Sequence, residues 1–319
     1  MSSPWVLSME YRRFGQTDLE PSAYGFGAWG IGGSSYGPVQ KSDALAALAE
    51  AEEQGCNLVD TAAVYGESES LIGEFLRGRR DRWIVATKYS FQKQGLERTL
   101  EQQLERLGTD HVDLYQLHSD PGPDAPIWEQ LERLKQAGKI RYLGVSLYSH
   151  RSIEWMLDSP LIDGIQVAFS LLDPQPFLRC HEALERSGKG VLIRSSLKSG
   201  LLTGKYKPGT RFDKGRDHRA EDMTPQEIDT ALRQLESFRF IEQTEGSLLL
   251  GAARYPLAFP AVSSVLLGAR NAEQARFNFG EIPRQPLSAE SLARIEQAQK
   301  ALGLGRRNLL RRIVDRLRR

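Results

Sequence analysis

Residues 83–118 read WIVATKYSFQKQGLERTLEQQLERLGTDHVDLYQLH, two apolar runs separated by a stretch with helical periodicity. The first run, WIVATK, ends on Lys88; the second, VDLYQLH, ends on His118. Between them Leu96, Leu100, Leu104 and Leu107 mark one face of an amphipathic helix, and Gly108 supplies its stop. Strand, helix and strand in this order predict a βαβ unit, whose two strands must run parallel.

The same unit repeats on both sides. Upstream, Ala44, Ala47, Leu48 and Ala51 lie on one helical face, Ser42 and Asp43 form a start signal, Gly55 a stop, and the strand NLVD follows to Asp60. Downstream comes a helix carrying Ile127, Leu131 and Leu134 and closed by Gly138. Strands are then predicted at YLGVS to Ser146, GIQVAF around Gln166, VLIRS to Ser195 and AVSSVLL to Leu267. A first strand near Ser22–Gly25 makes about eight, the number a closed parallel barrel needs. An open doubly wound sheet would also alternate strand and helix, so the position of the polar residues decides. Asp60, Lys88, His118, Ser146 and Ser195 each close an apolar strand, and a closed barrel brings that many carboxyl ends around one centre. The expectation is an α/β chain forming one (β/α)8 TIM-barrel domain over 1–319, with extra C-terminal helices.

Three segments decorate that frame. Residues 11–24 alternate around Gly15-Gln16-Thr17-Asp18 and predict an N-terminal β-hairpin acting as a cap. Residues 197–224 form a long loop after strand seven, rich in charge and glycine, where barrel enzymes place functional loops and where a lid could form. Residues 305–319 predict a basic helix, with Leu309, Leu310, Ile313, Val314 and Leu317 on one face among seven arginines. It reads as a helix docked on the barrel, with a membrane-surface or partner helix as the alternative.

Bulk composition narrows the function. Of 319 residues 40% are hydrophobic and 26% charged, and the net charge is +1, so no overall field favours nucleic acid or an anionic membrane. Cys56 and Cys180 fall in no disulfide or zinc spacing, which predicts a reducing compartment and no metal. A signal pattern and an apolar run of membrane-spanning length are both missing, so a cytoplasmic location is expected.

Two motifs mislead. Gly25-Phe-Gly27-Ala-Trp-Gly30 matches G-x-G-x-x-G, but Ile31–Pro38 reads as loop where a Rossmann turn would open a helix. Gly200-Leu-Leu-Thr-Gly204-Lys205-Tyr206 is one residue short of a phosphate loop and carries Tyr where Ser or Thr must reach the metal.

Asp60, Tyr65, Lys88 and His118 each have an ordinary structural explanation alone, but a barrel gathers all four at one mouth. Carbonyl reduction builds negative charge on oxygen as hydride reaches carbon, so it needs a proton donor and cationic support. Tyrosine can donate: its unperturbed pKa is about 10, and an adjacent ammonium favours the phenolate. Lys88 would supply that charge and Asp60 would hold Lys88. His118 would orient the substrate oxygen or relay the proton.

Here the chain resembles the aldo-keto reductases along nearly its whole length. Asp60-Thr-Ala-Ala-Val-Tyr65-Gly66 is similar to the family's aspartate-to-tyrosine segment, Ala86-Thr87-Lys88 to its lysine strand and Asp113-Leu-Tyr-Gln-Leu-His118 to its histidine strand. The resemblance implies Tyr65 as acid/base, with Asp60, Lys88 and His118 completing a catalytic tetrad. It also implies NADP(H), in preference to NAD(H), bound extended at the barrel mouth. Gly144-Val145-Ser146 and Gln166 resemble the residues that hold the nicotinamide carboxamide, although Leu147 replaces the usual Asn. Arg194, followed by Ser195, Ser196 and Leu197, stands where many members stack a tyrosine on the nicotinamide, and a guanidinium plane can substitute. Gly268-Ala269-Arg270-Asn271-Ala272-Glu273-Gln274 and Asn278 resemble the segment for the adenosine 2′-phosphate and adenine, with Arg270 as the phosphate partner and Gln274 where a second arginine is common. Gly27 and Trp29 join the expected cofactor residues; Trp29, Tyr89 and His118 are the expected substrate pocket.

Expected partners are a small carbonyl or alcohol substrate, no nucleic acid and no membrane span, with a monomer favoured over an oligomer. The competing reading is a cofactor-binding regulatory or redox-sensing barrel with little turnover, against which the intact tetrad argues. A barrel hydrolase or isomerase would show paired carboxylates or a His-rich metal cluster at the strand ends, and the sequence has neither.

Overall fold

The structure, a computed structural model, describes residues 8–33, 35–147, 153–175 and 177–304. Eight strands close into a barrel in sequential order, every neighbouring pair parallel. They are β1 (Tyr24–Gly27), β2 (Leu58–Asp60), β3 (Ile84–Tyr89), β4 (Val112–Leu117), β5 (Ile140–Leu147), β6 (Gly164–Ala168), β7 (Gly190–Arg194) and β8 (Ser264–Leu267). Helices α1 (Lys41–Glu53), α2 (Ser68–Phe75), α3 (Leu96–Leu107), α4 (Ile127–Gln136), α5 (Ile153–Asp158) and α6 (His181–Ser187) alternate with the strands. After β7 come α7 (Arg219–Asp222), α8 (Pro225–Leu235), α9 (Phe240–Glu245) and α10 (Leu248–Arg254); α11 (Ala272–Arg276) and α12 (Ala289–Ala301) follow β8. The apolar faces read from the sequence are the buried ones: Ala44, Ala47, Leu48 and Ala51 on α1, and Leu96, Leu100, Leu104 and Leu107 on α3. Gly108 ends α3 in the left-handed conformation, as a glycine stop should.

The first strand starts two residues later than its sequence suggests. Ser22 is drawn into the hairpin instead, bridging Tyr11, while the Ala23 N–H donates to the Glu10 carbonyl at 2.8 Å. The G-x-G of the false dinucleotide motif lies in β1, where a Cβ on Gly25 would come within 2.7 Å of Leu58 inside the barrel. A 3-10 turn over Ala28–Ile31 follows, and among the described residues the next α-helix begins only at Lys41.

The hairpin plugs the amino-terminal end of the barrel. Phe14, its N–H bonded to the Leu19 carbonyl at 2.8 Å, packs with Leu19, Leu58, Ala86, Leu114, Leu192 and Leu266 in one interior layer. Gly164 and Gly190, the first residues of β6 and β7, make room for its ring: a Cβ on either would lie 2.1 and 2.4 Å from it. At the same end the buried Asp113 carboxylate accepts from Arg80 at 2.7 Å, Arg141 at 2.6 Å and the Val85 N–H at 2.9 Å, tying the starts of β3, β4 and β5. At this end the interior is filled by the plug and the strand starts are tied by paired charges.

The long loop after β7 folds toward the loop after β1. Tyr36 and Asp217 form an antiparallel bridge, the His218 N–H donates to the Ser35 carbonyl at 2.7 Å, and the Arg219 guanidinium lies 4.8 Å from the Tyr36 ring centre. No helix among the described residues is long and apolar enough to cross a membrane. The basic helix expected over 305–319 lies outside the described residues.

Truncating the plug leaves a cavity no neighbour can fill, so Phe14→Ala is expected to lower stability by about 3–5 kcal/mol. Urea denaturation of both proteins checks this; an unchanged midpoint contradicts the plug.

Candidate active site

Parallel pairing sets Gly27 beside Asp60, Lys88 beside Gln116 and Ser146 beside Gln166, forming a polar ring inside the mouth. The Lys88 ammonium, fully buried, donates to Asp60 Oδ2 at 2.6 Å and to the Thr61 carbonyl at 2.8 Å. Asp60 Oδ1 accepts from Gln116 Nε2 at 2.9 Å and Gln166 Nε2 at 2.8 Å. Three donors on one buried carboxylate offset the cost of removing its charge from water.

Tyr65 stands half-buried on the turn after β2, its ring centre 5.2 Å from Lys88 Nζ, 5.8 Å from the His118 ring and 6.3 Å from Trp29. The turn is held from several sides. Thr61 and Ser68 share a hydroxyl bond of 2.8 Å, Ser68 donates to the Ala28 carbonyl, and the Glu67 N–H donates to the Gly32 carbonyl. Residue 32 must be glycine, because a Cβ there would fall 1.8 Å from the Tyr65 carbonyl oxygen. Behind the turn, buried Glu69 accepts from Thr87, Gln103 and Arg106, and Gln103 also donates to the Lys88 carbonyl at 3.1 Å.

His118, one residue past β4, has Nδ1 2.6 Å from Ser90 Oγ. Burial first, and then the Lys88 ammonium, push its pKa down to about 4, so the imidazole is neutral near pH 7.

The other sequence-nominated residues divide by place. Ser146 Oγ is buried with no partner among the described residues, as is Ser196 Oγ past β7. Arg194 donates to the Leu147 carbonyl at 3.1 Å, reaching from the end of β7 to the end of β5. Ser195 has a left-handed backbone (φ 59°), and Leu197 packs on the core edge. Arg270 reaches back to the loop after β1, donating to the carbonyls of Tyr36, Gly37 and Pro38, and its own N–H donates to the Gln274 side chain at 3.0 Å. Asn278 donates to the Gly268 carbonyl at 2.9 Å, fixing the exit of β8. Trp29 packs between Tyr36, Tyr65 and His218. Tyr89 alternates with the inward Lys88 and points out of the barrel; it is 5% exposed and touches Phe91, which is 42% exposed at the rim.

All four non-glycine residues with positive φ among the described residues, Phe91, Ser195, Lys198 and Ser199, follow β3 or β7 at this mouth. Such strain persists only where surrounding structure enforces it, and it clusters at functional sites. No group of three or more His, Cys, Asp or Glu side chains able to hold a metal occurs among the described residues.

Sequence reading passed over Gln116, Ser90 and Glu69. Gln116 carried a usable signal: two residues before His118 in an apolar strand, it must share the inward face. Ser90 and Glu69 carried none, since their partners are distant in the chain.

A sequence profile of the Aldo/keto reductase family matches residues 23–300. A Bacillus subtilis protein described as an uncharacterized oxidoreductase, YqkF, is 32% identical over 321 residues, covering 92% of this chain and 97% of the relative. The Bacillus subtilis aldo-keto reductase YhdN is 31% identical over 83% of this chain and 86% of its own length. Among solved structures, an aldo-keto reductase from Bacillus halodurans in its holo form is 30% identical, with a TM-score of 0.75 over 91% of this chain and 96% of that one. A glycerol dehydrogenase from Gluconobacter oxydans is 27% identical, with a TM-score of 0.78 over 92% of this chain and 96% of that one.

The depressed His118 pKa is also a stability statement. The unfolded chain binds this proton near pH 6.5 and the folded chain near 4, so stability is lost as pH falls through that window. Between pH 7 and 4.5 the wild type is expected to lose about 2 kcal/mol that His118→Gln retains. Urea titrations at the two pH values check it; equal losses in both proteins contradict a buried neutral imidazole.

Proposed function

The chain belongs to the aldo/keto reductase family and is an oxidoreductase of that family, and from this premise we propose that it interconverts small aldehydes or ketones and their alcohols with NADP(H), Tyr65 acting as general acid/base. The observation that carries the reading is the half-buried Tyr65 phenol beside a Lys88 ammonium that is wholly buried and held by Asp60.

When bound, the dihydronicotinamide supplies a hydride to the carbonyl carbon. The chain's part is to manage the oxygen. Tyr65 gives its proton to that oxygen as the C–O π electrons move onto it, and the resulting phenolate is reprotonated from solvent. Lys88 favours the phenolate electrostatically, and Asp60 keeps Lys88 charged and pointed. Neutral His118 is a hydrogen-bonding group, not a second acid, and orients the oxygen beside Tyr65.

The mouth fits a nicotinamide dinucleotide. Buried hydroxyls without a partner among the described residues, at Ser146 and Ser196, cost about 1–3 kcal/mol each unless a ligand or water completes them, and a carboxamide offers both donor and acceptor. Ser146 and Gln166 would hold that carboxamide, with Arg194 standing in for the ring-stacking tyrosine. Leu147, where an Asn is usual, contributes no amide. Arg270 would pair with the 2′-phosphate, and no carboxylate is bonded to its guanidinium among the described residues. The long loop after β7 would close over the bound cofactor.

Fluorescence titration with NADPH and NADH, beside 4-nitrobenzaldehyde turnover, tests the reading. NADPH should bind more tightly, and Tyr65→Phe should lower kcat by about 10²–10⁴ while cofactor affinity stays the same. Tight binding without turnover of a broad carbonyl panel would mark a regulatory barrel; binding of neither cofactor would sink the proposal.

A further inference from the structure

Among the groups around the mouth, the Ser90 hydroxyl is left unused by the mechanism above. We propose that Ser90 is a positioning residue for His118: its hydroxyl donates to Nδ1, fixing the imidazole in the tautomer whose Nε2 carries the proton and offers it to the reacting oxygen. The role assigned to that Nε2–H rests on the reductase reading; the tautomer itself does not.

The hydroxyl is held in place for this contact. Ser90 lies two residues past Lys88, where the chain leaves β3, and its N–H donates to the Gln92 side chain at 3.1 Å. The Gln92 carbonyl in turn accepts from the Gly95 N–H at 3.0 Å and the Tyr89 hydroxyl at 3.3 Å. Between them Phe91 takes a left-handed backbone (φ 55°), a conformation costly for a bulky side chain and kept only when its neighbours enforce it. The outcome of that strained turn is a Ser90 Oγ seated 2.6 Å from His118 Nδ1.

Direction follows from counting protons. A neutral imidazole has one N–H, so either Nδ1 or Nε2 carries it. If Nδ1 carried it and donated to Ser90, the hydroxyl proton of this partly buried residue would be left to solvent, for Oγ makes no other hydrogen bond among the described residues. Nε2 would also present a lone pair to an oxygen that is gaining negative charge. With the hydroxyl as donor both problems vanish: the Ser90 proton is used on Nδ1, and Nε2–H faces a site where no described residue competes for it. Lys88 acts in the same sense, because its positive charge opposes a second proton on the ring.

The tautomer can be read directly. The chain has five histidines, so nitrogen-15 histidine labelling gives a small spectrum in which His118 is assigned by its loss in His118→Asn. At pH 7 in the wild type, two-bond proton–nitrogen correlations should show His118 Nδ1 as the unprotonated nitrogen and Nε2 as the protonated one. Ser90→Ala should shift that pattern toward the other tautomer or a mixture, and Ser90→Thr, which keeps a hydroxyl, should restore it. In turnover, Ser90→Ala should lose about tenfold in kcat/KM for 4-nitrobenzaldehyde, with unchanged NADPH affinity. A protonated Nδ1 in the wild type, or the same tautomer in wild type and Ser90→Ala, overturns the proposal. Should the tautomer respond to Ser90 while the wild type reduces no carbonyl, the reductase reading fails and the Ser90 assignment stands.

Discussion

Everything at the mouth of this barrel depends on one buried ion pair, Lys88 with Asp60. Two charges removed from water are tolerated only when each finds further partners, and here Asp60 adds two glutamine amides while Lys88 adds the Thr61 carbonyl. Removing one partner would strand a buried charge at a cost of about 3–5 kcal/mol. The partners come from β2, β3, β4 and β6, so the pair constrains the register of half the barrel. In the other direction, only a closed barrel with a filled lower end can bring those strand ends together around it.

The two ends of the barrel divide the labour. At the amino-terminal end, Phe14 and the Asp113–Arg80–Arg141 cluster are packed and paired, and their chemistry is spent on holding the strands. At the carboxyl-terminal end the backbone carries strain at Phe91, Ser195, Lys198 and Ser199, and the Ser146 and Ser196 hydroxyls lack partners among the described residues. That asymmetry says where a ligand would stabilise the molecule. It also explains why Asp113, which opens the histidine strand, is structural while His118, at the strand's other end, faces the site.

Much of this was legible in the sequence because it is local. Apolar runs ending in Asp60, Lys88 and His118 identify strands and their polar ends together, and helix faces such as Ala44–Ala51 follow from periodicity alone. What escaped depends on contacts between distant segments. Nothing around Ser90 announces His118, twenty-eight positions away, and Arg270 gives no hint that its guanidinium is seated on the Tyr36–Pro38 carbonyls. The start of β1 differs from the sequence expectation for the same reason, since Ser22 pairs with Tyr11 before the barrel begins. Gln116 differs: alternation along β4 suffices to turn it inward, and its bond to Asp60 is seen in the structure.

In the proposed reaction the buried Lys88 charge serves proton transfer at Tyr65. The most direct measurement is stopped-flow hydride transfer from preformed protein–NADPH complex to 4-nitrobenzaldehyde, comparing wild type with Lys88→Met after circular dichroism shows both folded. NADPH affinity should stay within about threefold of wild type while the hydride-transfer step slows by roughly 10²–10⁴. Hydride transfer at the wild-type rate in Lys88→Met would contradict that role.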